Sequence, residues 1–239
     1  MFTSKQSESI SQGTPVSEDS HIQWDYSPDA ISYIHERTQL NKGMILADIN
    51  SGLGRLTKHF LKEANTVYCV ESDKRLRQIA AEKFWKNRNF IEINGYADQT
   101  CIENQAVDVI TCGNGIRDCE EHRAIGEFKR ILKNDGWLVL IENFLMDSDS
   151  RHCIINDLNP EDRYPGDLMK FYYPHGIWER KEYSSYLEAD QEEFIRLFHR
   201  ISYSQVSDDE IINIFDRFST NNRILLEGKT ILLIGQPRF

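Results

Sequence analysis

The sequence predicts an α/β protein with a mostly parallel sheet covered by helices on both faces. Three observations predict it. Short apolar runs alternate with helical patterns from residue 44 to about 143, which is the rhythm of βαβ units. Several of those runs are nearly continuously apolar, as strands buried on both faces must be. The first run, "MILAD", also passes at once into a glycine-containing turn, "INSGLGRL", and in such sheets ligands bind at the carboxyl ends of the strands.

The elements follow in order. Residues 1–22 are rich in Ser, Gln and Glu and predict a flexible tail, because such a segment has too little apolar surface to fold on. The rest, 23–239, predicts a single domain. "PDAISYIHERTQL" predicts a helix entered at Pro28, with Ile31, Ile34 and His35 on one face. "MILAD" predicts a buried strand and "LGRLTKHFLKE" a helix. "TVYCVES" predicts a strand, and "DKRLRQIAAEKFWK" a helix with Asp73 near its start. "NFIEIN" and "AVDVITCGN" predict strands, "EEHRAIGEFKRIL" a helix and "GWLVLIEN" a strand. Residues 145–190 break the rhythm with polar and aromatic residues, and predict an insertion or lid. "QEEFIRLFHRIS" and "DDEIINIFDRFS" predict helices. "NRILLEGKTILLIGQ" predicts two strands around the turn "EGK", with an antiparallel strand at the sheet edge.

Composition limits the function. The net charge of −10 argues against a nucleic-acid partner, whose phosphates need a basic face. No apolar run reaches the roughly 18 residues of a membrane span, and the N-terminus lacks the apolar core of a secretory signal. The cysteines, Cys69, Cys101, Cys112, Cys119 and Cys153, form no CxxC pair. They suit a reducing, cytoplasmic setting. No cluster of histidines and cysteines has metal-ligand spacing.

The turn narrows the chemistry. Gly52 and Gly54 allow positive φ and close approach to a ligand. Glu71 ends the second strand, where an acid can accept both hydroxyls of a ribose. A dinucleotide and an adenosine-bearing sulfonium cofactor both fit that much. The dinucleotide pattern needs a third glycine where this chain has Thr57. Asp48 would repel a diphosphate and fits a cofactor with an ammonium group. "SGLGR" lacks the lysine and spacing of a phosphate loop, and no G-x-S-x-G elbow is present.

The stretch "LADINSGLGRLTKHFLKEANTVYCVESDKRLRQIAAEKF" resembles the first half of class I S-adenosylmethionine (SAM)-dependent methyltransferases. "NGYADQTCIENQAVDVITCGNGIRDCEEHRAIGEFKRILKNDGWLVLIEN" is similar to the later block of the same family. The resemblance covers roughly Tyr26 to Asn143 and, more loosely, the closing strands. It implies a Rossmann-like, doubly wound seven-stranded sheet with an antiparallel C-terminal strand. It also implies SAM as cofactor and S-adenosylhomocysteine as product.

By the resemblance, Asp48, Asn50, Gly52, Gly54 and Glu71 would contact the cofactor. Ala97 and Asp98 would lie beside the adenine, Asn114 near the methyl end, and Tyr26 would fold over the cofactor. Asn50 departs from the family pattern, which has glycine at that position; asparagine is the residue next best able to hold positive φ. Each residue has a plainer alternative: Asp48 as a cap of the turn, Glu71 as a solvated strand end, "GNG" around Asn114 as an ordinary turn. His35, His59, His122 and His199 fall in helical patterns and read as surface or packing residues. His175, Tyr173 and Glu142 are the candidates for a general base. The expected reaction is methyl transfer to an oxygen or nitrogen, less readily a carbon, of a small molecule such as a natural-product intermediate. The expected state is a monomer or homodimer without a nucleic-acid or membrane partner. Two alternatives remain: the fold kept for a non-methylating reaction or for partner binding, and a nicotinamide oxidoreductase.

Overall fold

The computed structural model describes residues 24–114, 121–145, 172–201 and 206–238. The tail expected over 1–22 lies outside the described residues, as do residues 146–171 of the expected insertion.

The strands are β1 (Ile45–Ile49), β2 (Thr66–Glu71), β3 (Phe90–Asn94), β4 (Val107–Gly113), β5 (Leu132–Leu145), β6 (Ile177–Ala189) and β7 (Ile224–Gln236). The α-helices are α1 (Pro28–Thr38), α2 (Lys74–Phe84), α3 (Glu121–Ile131), α4 (Gln191–Ile201) and α5 (Asp208–Phe218). One seven-stranded sheet runs β3-β2-β1-β4-β5-β7-β6. β1 to β5 are mutually parallel, and β7 is antiparallel to both its neighbours. The strand order reverses between β1 and β4, so the crevice outside their carboxyl ends is the expected ligand site.

Period-two alternation fills both faces. Leu138 and Leu140 of β5 join Ile231 and Leu233 of β7 in one core with Phe128 of α3. Val139 and Ile141 join Leu232 and Ile234 in the opposite core, with Ile34 of α1, Phe60 and Phe84. A third cluster seats Phe194 and Phe198 of α4 and Phe215 of α5 on Leu187 and Leu226, and includes Trp24. Local signals set the helix starts. The Asp73 side chain accepts from the amides of Arg75 and Leu76, and Ser207 and Glu210 form a reciprocal capping box on α5.

Four expectations are corrected. "LGRLTKHFLKE" is a run of turns around a 3-10 segment, Thr57–His59, not an α-helix. Buried Thr57 donates to the carboxylate of Asp48, and Leu56, Phe60 and Leu61 pack down on the sheet, which favours the tighter i→i+3 path of the Phe60–Thr57 bond. "EGK" does not turn the chain: β7 passes straight through it. Gly228 is there for space, since a Cβ would collide with the Trp24 ring and approach the Phe144 carbonyl. The antiparallel strand is second from the edge, with β6 outside it. Residues 177–189, read as part of the insertion, are that edge strand. Its run of Glu179, Arg180, Lys181 and Glu182 blunts an otherwise open edge.

Candidate active site

The crevice is built first by backbone conformation. Asn50, Gly52 and Gly54 all adopt left-handed φ, at 53°, 55° and 72°. That path lifts the turn off the end of β1 and folds it back, and Gly54 accepts no side chain because a Cβ would strike Phe84. At Gly52 the position a Cβ would take has nothing within 4 Å, so this part of the turn faces open space.

Glu71 holds the turn from the side. One carboxylate oxygen accepts the Gly52 amide and the other the Asp73 amide, each at 2.9 Å. Glu71 is 8% exposed. Among the described residues two of its roughly four acceptor sites are used, which leaves room for a ligand's hydroxyls. Arg77 braces the same corner by donating to the carbonyls of Glu71 and Ser72.

Asp48 lies deeper. Thr57 donates to one of its oxygens at 2.6 Å and Thr111 to the other at 3.0 Å. Burial pushes its pKa up to about 6, against the hydrogen bonds of Thr57 and Thr111, and the Glu71 charge adds to the rise. Asp48 therefore braces the turn onto β4 and sets a negative floor beneath it. The threonine that replaces the third glycine of a dinucleotide fingerprint is its hydrogen-bond partner.

Tyr26 comes down from the segment before α1. It is buried, and a Cβ on Gly113 would collide with its hydroxyl, so its ring closes over the end of β4. Burial, then the charge of Asp48, push its phenol well above the usual range; Glu142 pushes the same way. Glu142 is itself buried in β5, opposite Ile231. Asn114 follows β4 with left-handed φ, and its side-chain oxygen accepts the Asn143 amide at 3.0 Å.

Ala97 and Asp98 sit in the tight turn after β3 that closes between Tyr96 and Gln99. Ala97 is buried, and Asp98 is exposed and 3.8 Å from Arg123 of α3. The loop is pinned by Thr100, whose amide and hydroxyl both donate to Glu127. Burial would raise the Glu127 pKa, but hydrogen bonds from Arg130 and Thr100 hold it at about 2.

Two base candidates lie elsewhere. Tyr173 is buried with its hydroxyl donating to the Leu138 carbonyl at 3.0 Å and facing that of Leu233 at 3.4 Å. Leu138 lies midway along β5 and Leu233 near the end of β7, below the carboxyl ends that border the crevice. His175 is exposed just before Ile177, which pairs with Gln236 at the end of the sheet away from the crevice. Neither is brought to the crevice, because the chain they precede enters β6 from that end. Glu142 alone of the three lies toward the carboxyl end of β5.

Sequence reasoning missed several residues. Asn143 donates to the carbonyls of Trp24 and Asp25 and accepts from Thr230. Arg55, next to Gly54, donates to the Trp24 carbonyl. Lys58 pairs with Asp25, and His59 lies 3.5 Å from it. The one legible signal was Asn143, a polar residue ending an apolar strand.

Comparison with known proteins agrees with this geometry. Residues 47–140 match the family model described as a methyltransferase domain. The Campylobacter jejuni ubiquinone/menaquinone biosynthesis C-methyltransferase UbiE is 31% identical over 111 residues, covering 43% of this chain and 46% of the relative. The chain thus matches about half the length of such curated relatives. The Bacillus subtilis YcgJ protein superposes with a TM-score of 0.62 at 15% identity, covering 89% of this chain and 100% of that one. A SAM-dependent methyltransferase from Aquifex aeolicus gives 0.51 at 18% identity, over 62% and 80%. These two likenesses concern the fold.

The residues present suit SAM. Among the described residues Glu71 keeps acceptors to spare beside the open turn, and the carboxylates of Asp48 and Glu71 suit a cofactor bearing an ammonium and a sulfonium. Residues 47–140 thus match a methyltransferase domain, and the sheet order and turn geometry around them suit SAM as the cofactor.

Proposed function

We propose that the protein transfers the methyl group of SAM to an oxygen or nitrogen atom of a small molecule. The observation that carries this reading is the left-handed turn at Asn50, Gly52 and Gly54, tied by its Gly52 amide to Glu71 and open on the ligand side. Glu71 would take the ribose hydroxyls, Ala97 and Asp98 would flank the adenine, and Tyr26 and Asn114 would border the methyl end. When bound, SAM supplies a methyl group already activated by its sulfonium. The chain's task is then to orient the acceptor and keep water out.

Tyr26, with its phenol held protonated by burial, serves as a wall and hydrogen-bond donor, not as a base. Glu142 is the candidate for taking an acceptor proton. A net charge of −10 supports a small acceptor over a nucleic acid. No helix among the described residues is long and apolar enough to cross a membrane. A cytoplasmic monomer or homodimer completes the proposal. The name of the Campylobacter relative favours a second reading, a carbon acceptor on a ring.

Calorimetry with SAM, S-adenosylhomocysteine and NAD tests the cofactor. Mass spectrometry for a one-methyl gain across phenol, amine and quinol acceptors tests the transfer. Tight NAD binding without SAM binding would overturn the cofactor. SAM binding with no methyl gain on any acceptor class would overturn the transfer.

A further inference from the structure

The segment Trp24–Ser27 is held at both ends of the crevice. On one side Arg55, in the turn after β1, donates to the Trp24 carbonyl at 3.2 Å, and Lys58 pairs with Asp25. On the other side stands Asn143. Its side-chain amide donates to the carbonyls of Trp24 and Asp25 at 3.3 and 3.0 Å. Its side-chain oxygen accepts the Thr230 hydroxyl at 2.6 Å, and that hydroxyl in turn accepts the Ser27 amide at 3.0 Å. Its backbone amide donates to Asn114, the residue after β4. Asn143 is 8% exposed and Thr230 fully buried, so water competes little for these bonds. One residue thus meets the segment carrying Tyr26 and the turn carrying Asn114, groups separated by more than 80 positions in the chain.

We infer that Asn143 is a positioning residue: it locks the Trp24–Ser27 strap over the crevice and thereby sets Tyr26 against the cofactor. The inference deepens the SAM reading and rests on it for its second half. The packing shows why the lock has to be specific. Tyr26 fits over β4 only because residue 113 is glycine, and Trp24 fits over β7 only because residue 228 is glycine. A strap seated in two such tight positions has little room to slide, and the Asn143 amide fixes its register through two carbonyls at once. A plain hydrophobic latch would fix neither direction nor register.

The test joins two measurements on the full chain. Hydrogen exchange without cofactor reads the strap through the Ser27 amide. In Asn143→Asp the two donors become acceptors facing two carbonyls. Exchange at Ser27 should then rise by about tenfold or more, the worth of one or two buried hydrogen bonds. Asn143→Leu, close in size and without the two donors, should give the same rise and serves if the first variant does not fold. Calorimetric SAM affinity reads the consequence. Asn143→Asp should weaken binding about tenfold in the parent background and less than about twofold in Tyr26→Ala. Unchanged Ser27 exchange in both variants overturns the lock. Equal losses of affinity in both Tyr26 backgrounds overturn the route through Tyr26. If the parent itself fails to bind SAM, the cofactor reading and the route through Tyr26 fall together, and the exchange result decides the lock alone.

Discussion

Glu71 accepts the amide of Gly52 across the gap between β2 and the turn after β1. The acid that would hold a ribose is therefore also the clasp of the glycine turn. Glu71→Ala should weaken SAM binding by at least tenfold, since charge-assisted bonds are worth about 1.5–3 kcal/mol each. Glu71→Gln, which keeps one acceptor oxygen, should fall between. Titration calorimetry on the three proteins checks the order, and unchanged affinity in the alanine variant would remove Glu71 from the cofactor site.

Asn50 holds φ at 53°, a conformation that costs a side-chain-bearing residue about 1 kcal/mol. Asn50→Gly relieves that cost and adds unfolded-chain entropy of similar size. Stability should stay within about 1 kcal/mol of the parent and SAM affinity within about twofold. A loss of tenfold in affinity would make the Asn50 side chain a ligand contact.

Gly113→Ala should displace Tyr26, because the new methyl would meet the phenol oxygen. Overpacking of this kind costs about 1–3 kcal/mol. Adding Tyr26→Phe should restore part of the stability, although the ring carbon at 3.1 Å keeps the fit tight. Thermal melts of the two single variants and the double variant measure the rescue. If the double variant is no more stable than Gly113→Ala alone, the steric account is wrong.

Asp48 makes stability fall as pH rises. Its folded pKa, about 6, lies above the ordinary 3.8. Its contribution is therefore full below about pH 4 and lost as pH climbs through 6. The gap of about two units amounts to roughly 3 kcal/mol. Asp25 acts oppositely: burial would raise it, but bonds from His59 and Lys58 hold it at about 2. Its contribution is kept above pH 4 and lost as pH falls toward 2. Urea unfolding between pH 4.5 and 7 spans the Asp48 titration, and Asp48→Asn should flatten the profile relative to the parent. An unaltered slope would place the titration elsewhere.

Tyr173→Phe should lower stability by about 1 kcal/mol and leave the SAM constant alone, because its hydroxyl serves the carbonyls of Leu138 and Leu233 within the core, below the strand ends that border the crevice. His175→Ala should change neither. A fall in turnover beyond tenfold for either variant, with stability kept, would return that residue to the chemistry.

The part of the fold that was legible is the part whose strands are buried on both faces. "MILAD", "TVYCVES" and "AVDVITCGN" announce themselves because apolar side chains dominate positions buried on both faces of the sheet. Glu71 and the two glycines were legible because position in a βα turn restricts residue type. β6 was not. An edge strand such as "IWERKEYSSYLEA" has one rim in water and reads as polar loop. Gly228 misled for a related reason: a glycine demanded by Trp24, over 200 positions earlier, looks the same in sequence as one demanded by a turn. The strap was illegible because its bonds join Trp24 and Asp25 to residue 143 and Ser27 to residue 230, and no local pattern encodes such pairings.

The place of β7 has a consequence for how the chain assembles. The final strand in sequence is not at the rim but between β5 and β6, bonded along most of its length to both. Until it arrives, β6 has no partner and β5 carries an open edge, with the strap's anchor at Thr230 missing. The first five strands can pair through short βα crossovers, but the sheet is sewn shut only by a segment that must enter between two waiting strands. That makes the last step the one with the longest loops to close and hence the slowest. It is also the step during which the unpaired edges are exposed to other chains.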